Sequence, residues 1–376
     1  MRLVGLSLVL LFLFATITGN AQSKCDFQHP HKDPITPVIS QASSSRSGMI
    51  TIPVVFHVVL SVHTSRSISD EQILLQLDQL NRDFGGEVDA DLVPAVFEDA
   101  VSRAVAIQFC LGSGESIIRK RVTIDDIGIS EAIFYDDLGG NNAVNPERYL
   151  NIWIADTGGN IAGYASYPEQ VALERQGVVV HPEFFQGGSF ASSPYRTLTH
   201  EVGHYLGLLH PWGSGGCNSE DFVDDTPLQA GPYSNRSPES PESCGSSDMY
   251  MTFMDYTDDA CTAFFTNQQV SRMVSVIEEF RPGLLQHEGD ECKAILTASD
   301  LADLKIYPVP TSSMVFIEVN SSVAIFDSYA IYDATGRQVA FKSGLLDFPL
   351  AIDISHFPSG IYFLRIGGKT RKIVRN

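Results

Sequence analysis

The stretch Thr199-His200-Glu201-Val202-Gly203-His204-Tyr205-Leu206-Gly207-Leu208-Leu209-His210 carries the greatest chemical capacity in this chain. It fits HExxHxxGxxH at every fixed position, and composition alone would produce that match in roughly one such chain in 10⁵. His200 and His204 stand four apart, so on a helix they share one face, about 6 Å apart along the axis. Gly207 can take the positive φ that turns the chain out of the helix, and His210 then closes on the same ion. Three neutral imidazoles leave zinc one open position, where a water becomes acidic. Glu201 points to the same side and can take the proton of that water.

Several elements must position these groups. Ile50 to Leu60 is a β-branched apolar run around His57 and reads as a buried strand. Ser69 to Phe84 carries Ile73, Leu74, Leu77 and Leu80 at helical spacing, with Ser69 as N-cap and Gly85-Gly86 as terminator. Val105 to Leu111, Tyr149 to Ile154 and Val178 to His181 read as further strands. The histidine helix is expected to run from about Ser193-Pro194 to Gly207. Strands mixed with long helices predict an α/β or α+β domain over residues 49–286. After a polar linker, 287–300, short alternating strands separated by Gly and Pro predict a small β-sandwich over 301–376: Val315 to Val319, Tyr329 to Tyr332, Gln338 to Phe341, Ala351 to Ile354 and Ile361 to Ile366.

The net charge of −20 argues against a nucleic-acid partner, because a phosphate backbone needs a basic surface. It suits a secreted protein, and its carboxylates can hold calcium. Residues 1–21 read as a signal peptide: Arg2, the apolar run Leu6 to Ala15, then Gly19-Asn20-Ala21 as a cleavage site. No later run is long and apolar enough to span a bilayer. Residues 22–48, rich in Pro, Ser and His, read as a pro-segment. The six cysteines enter an oxidising compartment, and six allow fifteen full pairings.

A second element follows the histidines. Met251-Thr252-Phe253-Met254-Asp255-Tyr256 resembles the Met-turn of metzincins, with Met254 as a soft base under the imidazoles. Further blocks, among them Leu80-Asn81-Arg82-Asp83-Phe84, Leu150-Asn151-Ile152-Trp153, Gly163-Tyr164-Ala165, Asp224-Asp225-Thr226-Pro227 and Phe264 to Met273, resemble the pappalysin family over about residues 50 to 285. The resemblance implies a metzincin-type zincin catalytic domain and a secreted endopeptidase acting on protein or peptide substrates. In it His200, His204 and His210 hold zinc, Glu201 is general base and acid, and Tyr256 contacts the oxyanion. It also implies calcium held by Asp221, the Val223 carbonyl, Asp225 and Thr226, with Asp224 as a substitute for Asp225. Relatives often carry two disulfides beside the site. Here Cys217–Cys244 is expected, with Cys244–Cys261 its rival, and Cys261 otherwise free or joined to a distant cysteine such as Cys292. Asp258 and Asp259 after the Met-turn would make an acidic S1′ wall that favours Arg or Lys at P1′.

A thiolate binds zinc strongly and would displace the water, so Cys25, or Asp26, can act as a latency ligand until cleavage near Arg46. A disulfide from Cys25 to Cys110 is the alternative. Ile306 to Thr311, Ile331 to Arg337, Ser359 to Leu364 and Lys372 to Asn376 resemble the C-terminal sorting domain of type IX secretion cargo. This implies export by that machinery, removal of the domain, and possible attachment of the protein to the cell surface. A carbohydrate-binding module is the alternative for this part. For the whole, the competing readings are a non-catalytic zinc-stabilised adhesin and a hydrolase of non-peptide bonds.

Overall fold

The computed structural model describes residues 49–104, 106–158, 161–190, 193–234, 241–286, 292–295, 304–318, 324–347, 350–366 and 369–376. The expected signal peptide, the pro-segment with Cys25, Asp26 and Arg46, and most of the 287–300 linker lie outside the described residues.

Six strands of a larger sheet form the frame of the first domain: β1 (Ile50–Ser61), β2 (Ile107–Gly112), β3 (Ile117–Val122), β4 (Leu150–Ile154), β5 (Gly163–Ala165) and β6 (Val178–Val180). β2 and β3 lie beside successive parts of β1, and the sheet continues β1-β4-β6-β5. Among these six all pairings are parallel except the last, where β5 runs against β6 as an edge strand; on its other side β2 pairs with the antiparallel strand Cys292–Ile295. A parallel sheet needs cover on both faces, and the register supplies two apolar rows. Phe56, Ile152, Val178 and Ala165 align across the sheet and pack under the helices. Trp153, Val179 and Tyr164 align on the opposite face, against Ile127, Ile133 and Phe134.

Three helices matter to the site: α1 (Asp70–Phe84), α2 (Thr197–Tyr205) and α3 (Asn267–Phe280). α1 starts with the capping box of Ser69 and Gln72 and buries Ile73, Leu77, Leu80 and Phe84. Each such side chain contributes roughly 1.5–3 kcal/mol of burial. α2 starts at Thr197 rather than near Ser193, because Tyr195 has φ +64°, outside the helical region. All nine of its residues are buried. α3, β3 and β5 add to the elements that the sequence pattern predicts.

The C-terminal part is a two-layer β structure. The strands Lys305–Tyr307, Met314–Glu318 and Leu350–Asp353 form one antiparallel sheet; Ala324–Asp333, Gln338–Asp347, Gly360–Ile366 and Lys369–Arg375 pair antiparallel in the other layer, which Cys292–Ile295 links to β2. Val315, Ile317, Ile331, Ile352, Leu364 and Ile373 fill the space between. Two disulfides are formed, Cys217–Cys244 and Cys110–Cys292, and Cys261 is free. Cys110 therefore has no bond to give Cys25, and Cys292 none to give Cys261.

Candidate active site

α2 presents His200, Glu201 and His204 from one buried turn, and the chain leaves it through Gly207 at φ +89°. A side chain at Gly207 would be strained, and its Cβ would meet Val276 at 2.7 Å. The turn brings His210 back to the other two rings. The three Nε2 atoms lie 3.1, 3.0 and 3.3 Å apart. Three nitrogens each ~2.0–2.1 Å from one tetrahedral zinc stand about 3.3 Å apart, so the triad fits that ion. Among the described residues this is the one group of three or more His, Cys, Asp or Glu side chains gathered closely enough for a metal.

The second nitrogens fix the tautomers. His200 Nδ1 donates to the Phe253 carbonyl at 2.7 Å, and His204 Nδ1 to the Leu208 carbonyl at 2.8 Å. With the proton on Nδ1, the Nε2 lone pair faces the metal position. Burial pushes His204 down to about 4 and His210 well below the ordinary 6.5, so the rings are neutral. Glu201 is fully buried beside them. It faces β5, where a Cβ added at Gly163 would stand 3.0 Å from Glu201 Cγ and 3.3 Å from its Oε1.

The floor comes from the second element. Met254 is fully buried, and a Cβ added at Gly203 of α2 would lie 2.5 Å from its sulfur. Tyr256 follows, its ring centre 4.8 Å from His210 and 5.7 Å from His200.

Sequence models of two families match the chain: that described as Pregnancy-associated plasma protein-A over residues 134–278, and a secretion system C-terminal sorting domain over 305–376. Extracellular metalloprotease 1 of Coccidioides posadasii is 30% identical over 259 residues, 65% of this chain and 83% of the relative. The extracellular metalloprotease of Colletotrichum graminicola is 31% identical over 246 residues, 62% of this chain and 78% of the relative. Mature mirolysin of Tannerella forsythia, solved in complex with a cleaved peptide, is 36% identical, covers 64% of this chain and 97% of its own, and superposes with a TM-score of 0.58. The chain belongs to the pappalysin family. It is a secreted metalloendopeptidase, and no described helix is long and apolar enough to cross a membrane.

Other residues of this pappalysin site receive no role from the sequence alone. Trp212 stacks on His210 at 4.5 Å and 7°, and stands 5.0 Å from Tyr256. One of only two tryptophans, two residues past the third histidine, was the available clue. The Tyr167 hydroxyl lies 3.0 Å from His204 Nδ1 and donates to the Leu208 carbonyl at 3.2 Å. Asp255 accepts from the amides of Tyr256 and Tyr233 at 2.6 and 3.0 Å and from Gln229 at 2.6 Å, which fixes the backbone of Tyr256. Asp83 of α1 accepts from Thr199 at 2.6 Å and from Arg196 Nε at 3.1 Å, tying α2 to α1. Burial raises the Asp83 carboxyl, and the Arg196 charge opposes that rise.

The expected calcium ligands divide. Asp221 is buried, and its carboxylate accepts from Thr226 Oγ1 at 2.8–2.9 Å and from the Val223 amide at 3.2 Å. The Val223 carbonyl also accepts from Thr226, at 2.8 Å. Burial pushes Asp221 up to about 7. Asp225 stands apart from this group: its carboxylate accepts from Thr266 at 2.6 Å and from the Gln268 amide at 2.9 Å, because the first turn of α3 offers spare donors there. Asp224 is exposed and uses its amide to reach Gln268. Asp259 is also diverted, since its carboxylate accepts from the Arg196 amide at the start of α2. Asp258, the other acidic residue after the Met-turn, is half-buried.

Proposed function

We propose that the chain hydrolyses internal peptide bonds by activated-water attack, with Glu201 as general base and then general acid. The observation that carries this is the convergence of three imidazole Nε2 atoms beside a buried carboxylate on the same helix. His200, His204 and His210 hold zinc, which when bound supplies an acidified water and polarises the scissile carbonyl. Glu201 would be the proton acceptor for the attacking water and then the proton donor to the leaving amine. Tyr256, packed edge-on against the stacked pair of His210 and Trp212, donates to the developing oxyanion. Met254 packs beneath the triad and holds its shape.

Calcium, on this reading, is held by Asp221, the Val223 carbonyl and Thr226, which already converge. Asp258 favours Arg or Lys at P1′. The chain is organised as a leader (1–21), a latency segment (22–48) whose Cys25 caps the metal, the catalytic domain (49–286), a linker (287–300) and the sorting domain (301–376). The test of the mechanism is Glu201→Ala. Zinc should remain at one per chain while turnover falls by at least ~10²-fold; retained turnover removes Glu201 from its role.

A further inference from the structure

β5 is an edge strand whose two faces lead to different places. The His181 amide donates to the Ala162 carbonyl at 2.8 Å, and the Ser166 amide to the Gly177 carbonyl at 3.0 Å. The even-numbered positions therefore turn their peptide groups toward β6, and antiparallel alternation turns those of Gly163 and Ala165 to the outer edge. Such an edge accepts another extended chain as an added strand. On one face Gly163 adjoins Glu201. On the other, Tyr164 shares its row with Trp153 and Val179 and donates its hydroxyl to the Gly128 carbonyl at 2.6 Å.

On the Tyr164 face lies a cavity of about 210 Å³ whose walls include Ile129, Phe134, Ile161, Tyr164, Val171 and Arg175. Ala165 also borders it, so it adjoins the free edge itself. Pockets for whole small molecules hold ~300–1,000 Å³, whereas this one has room for a single large side chain. Arg175 is held in place by an ion pair with Glu131. An apolar side chain of an extended peptide on the free edge would fill this space. The side chains of such a peptide leave alternately to the two faces, and the residue opposite Tyr164 points where Tyr164 points.

We propose that this cavity is a specificity subsite for a large apolar residue of the substrate, next or next but one to the scissile bond. It rests on the peptidase reading, in which the substrate lies extended along β5 beside Glu201. Leu, Met or Phe fills the cavity.

The test is cleavage profiling of the processed enzyme with a peptide library, followed by kcat/KM for peptides that differ only at the selected position. One position close to the cut should prefer Leu, Met or Phe over Ala by about tenfold or more. Val171→Phe, which fills the cavity, should bring the Leu-to-Ala ratio toward one. Val171→Ala, which widens it, should move the preference toward Trp, and it decides the matter if the larger substitution does not fold. A profile with no apolar preference, or one unmoved by Val171→Ala, overturns the proposal. A cavity that seats residues 22–48 of the chain instead would also leave the processed enzyme's profile flat, and that outcome likewise overturns it. Absence of cleavage of every peptide would instead strike the peptidase reading.

Discussion

Gly203 and Met254 offer a quantitative probe of how the floor supports the triad. A Cβ at position 203 would stand 2.5 Å from the Met254 sulfur and 3.3 Å from its methyl. Comfortable contact is ~3.5–4.0 Å, so Gly203→Ala forces a shift of about 1 Å in a fully buried side chain. Overpacking of this kind costs ~1–3 kcal/mol. Replacing a helical glycine by alanine returns about 1 kcal/mol. The single variant should therefore lose up to about 2 kcal/mol. Met254→Ala alone should lose ~2–5 kcal/mol through the cavity it leaves. Combined, the new methyl enters that cavity, the clash disappears, and the helical gain remains. The double variant should be more stable than the sum of the singles by about 1–3 kcal/mol. Equilibrium unfolding in urea, in a Glu201→Ala background to prevent self-cleavage, measures the coupling. Chelator competition reports whether zinc affinity falls with Gly203→Ala and recovers in the double variant. Additive losses, with no coupling between the two substitutions, would refute the contact between this turn and α2.

Three further outcomes are expected. Tyr256→Phe keeps the ring against His210 and Trp212 but removes the donor, so kcat should fall ~10²–10³-fold with zinc retained; unchanged kcat makes Tyr256 a packing residue. Asp221 titrates near 7 when buried, against 3.8 ordinarily, so without calcium the folded state keeps a proton that the unfolded chain has lost between those values. Its contribution to stability therefore falls as pH rises through that window, by about 1.4 kcal/mol per unit. Calcium requires the ionised form, so its rise in Tm should be larger at about pH 8 than at about pH 5; equal or absent shifts count against the calcium group. Cys25→Ala should hasten self-activation of the full chain, and unaltered latency, read by the time course of processing on gels, sinks the thiolate cap.

What can be read in the sequence is what spacing decides locally. His200 and His204 share a face because four residues make about one turn. Gly207 takes the positive φ expected of it, and Ser69 caps α1. α2 starts later than its spacing predicts because the positive φ of Tyr195 has no local signature, and because Asp259, far along the chain, takes the Arg196 amide. The same holds for Asp83 under Thr199, Tyr167 behind His204 and the Cys110–Cys292 bond. Each is a contact between segments that only the fold brings together. Asp225 shows the converse: a residue of the right type in the right block, drawn away by the donors of α3.

Catalysis at this site requires one zinc gripped by three imidazoles. X-ray absorption at the zinc edge, with metal analysis of the secreted, processed protein, measures that directly. One zinc per chain with three nitrogen neighbours at ~2.0–2.1 Å is expected, lost on His204→Ala. A metal-free active protein, or a zinc bound mainly by sulfur, would contradict it.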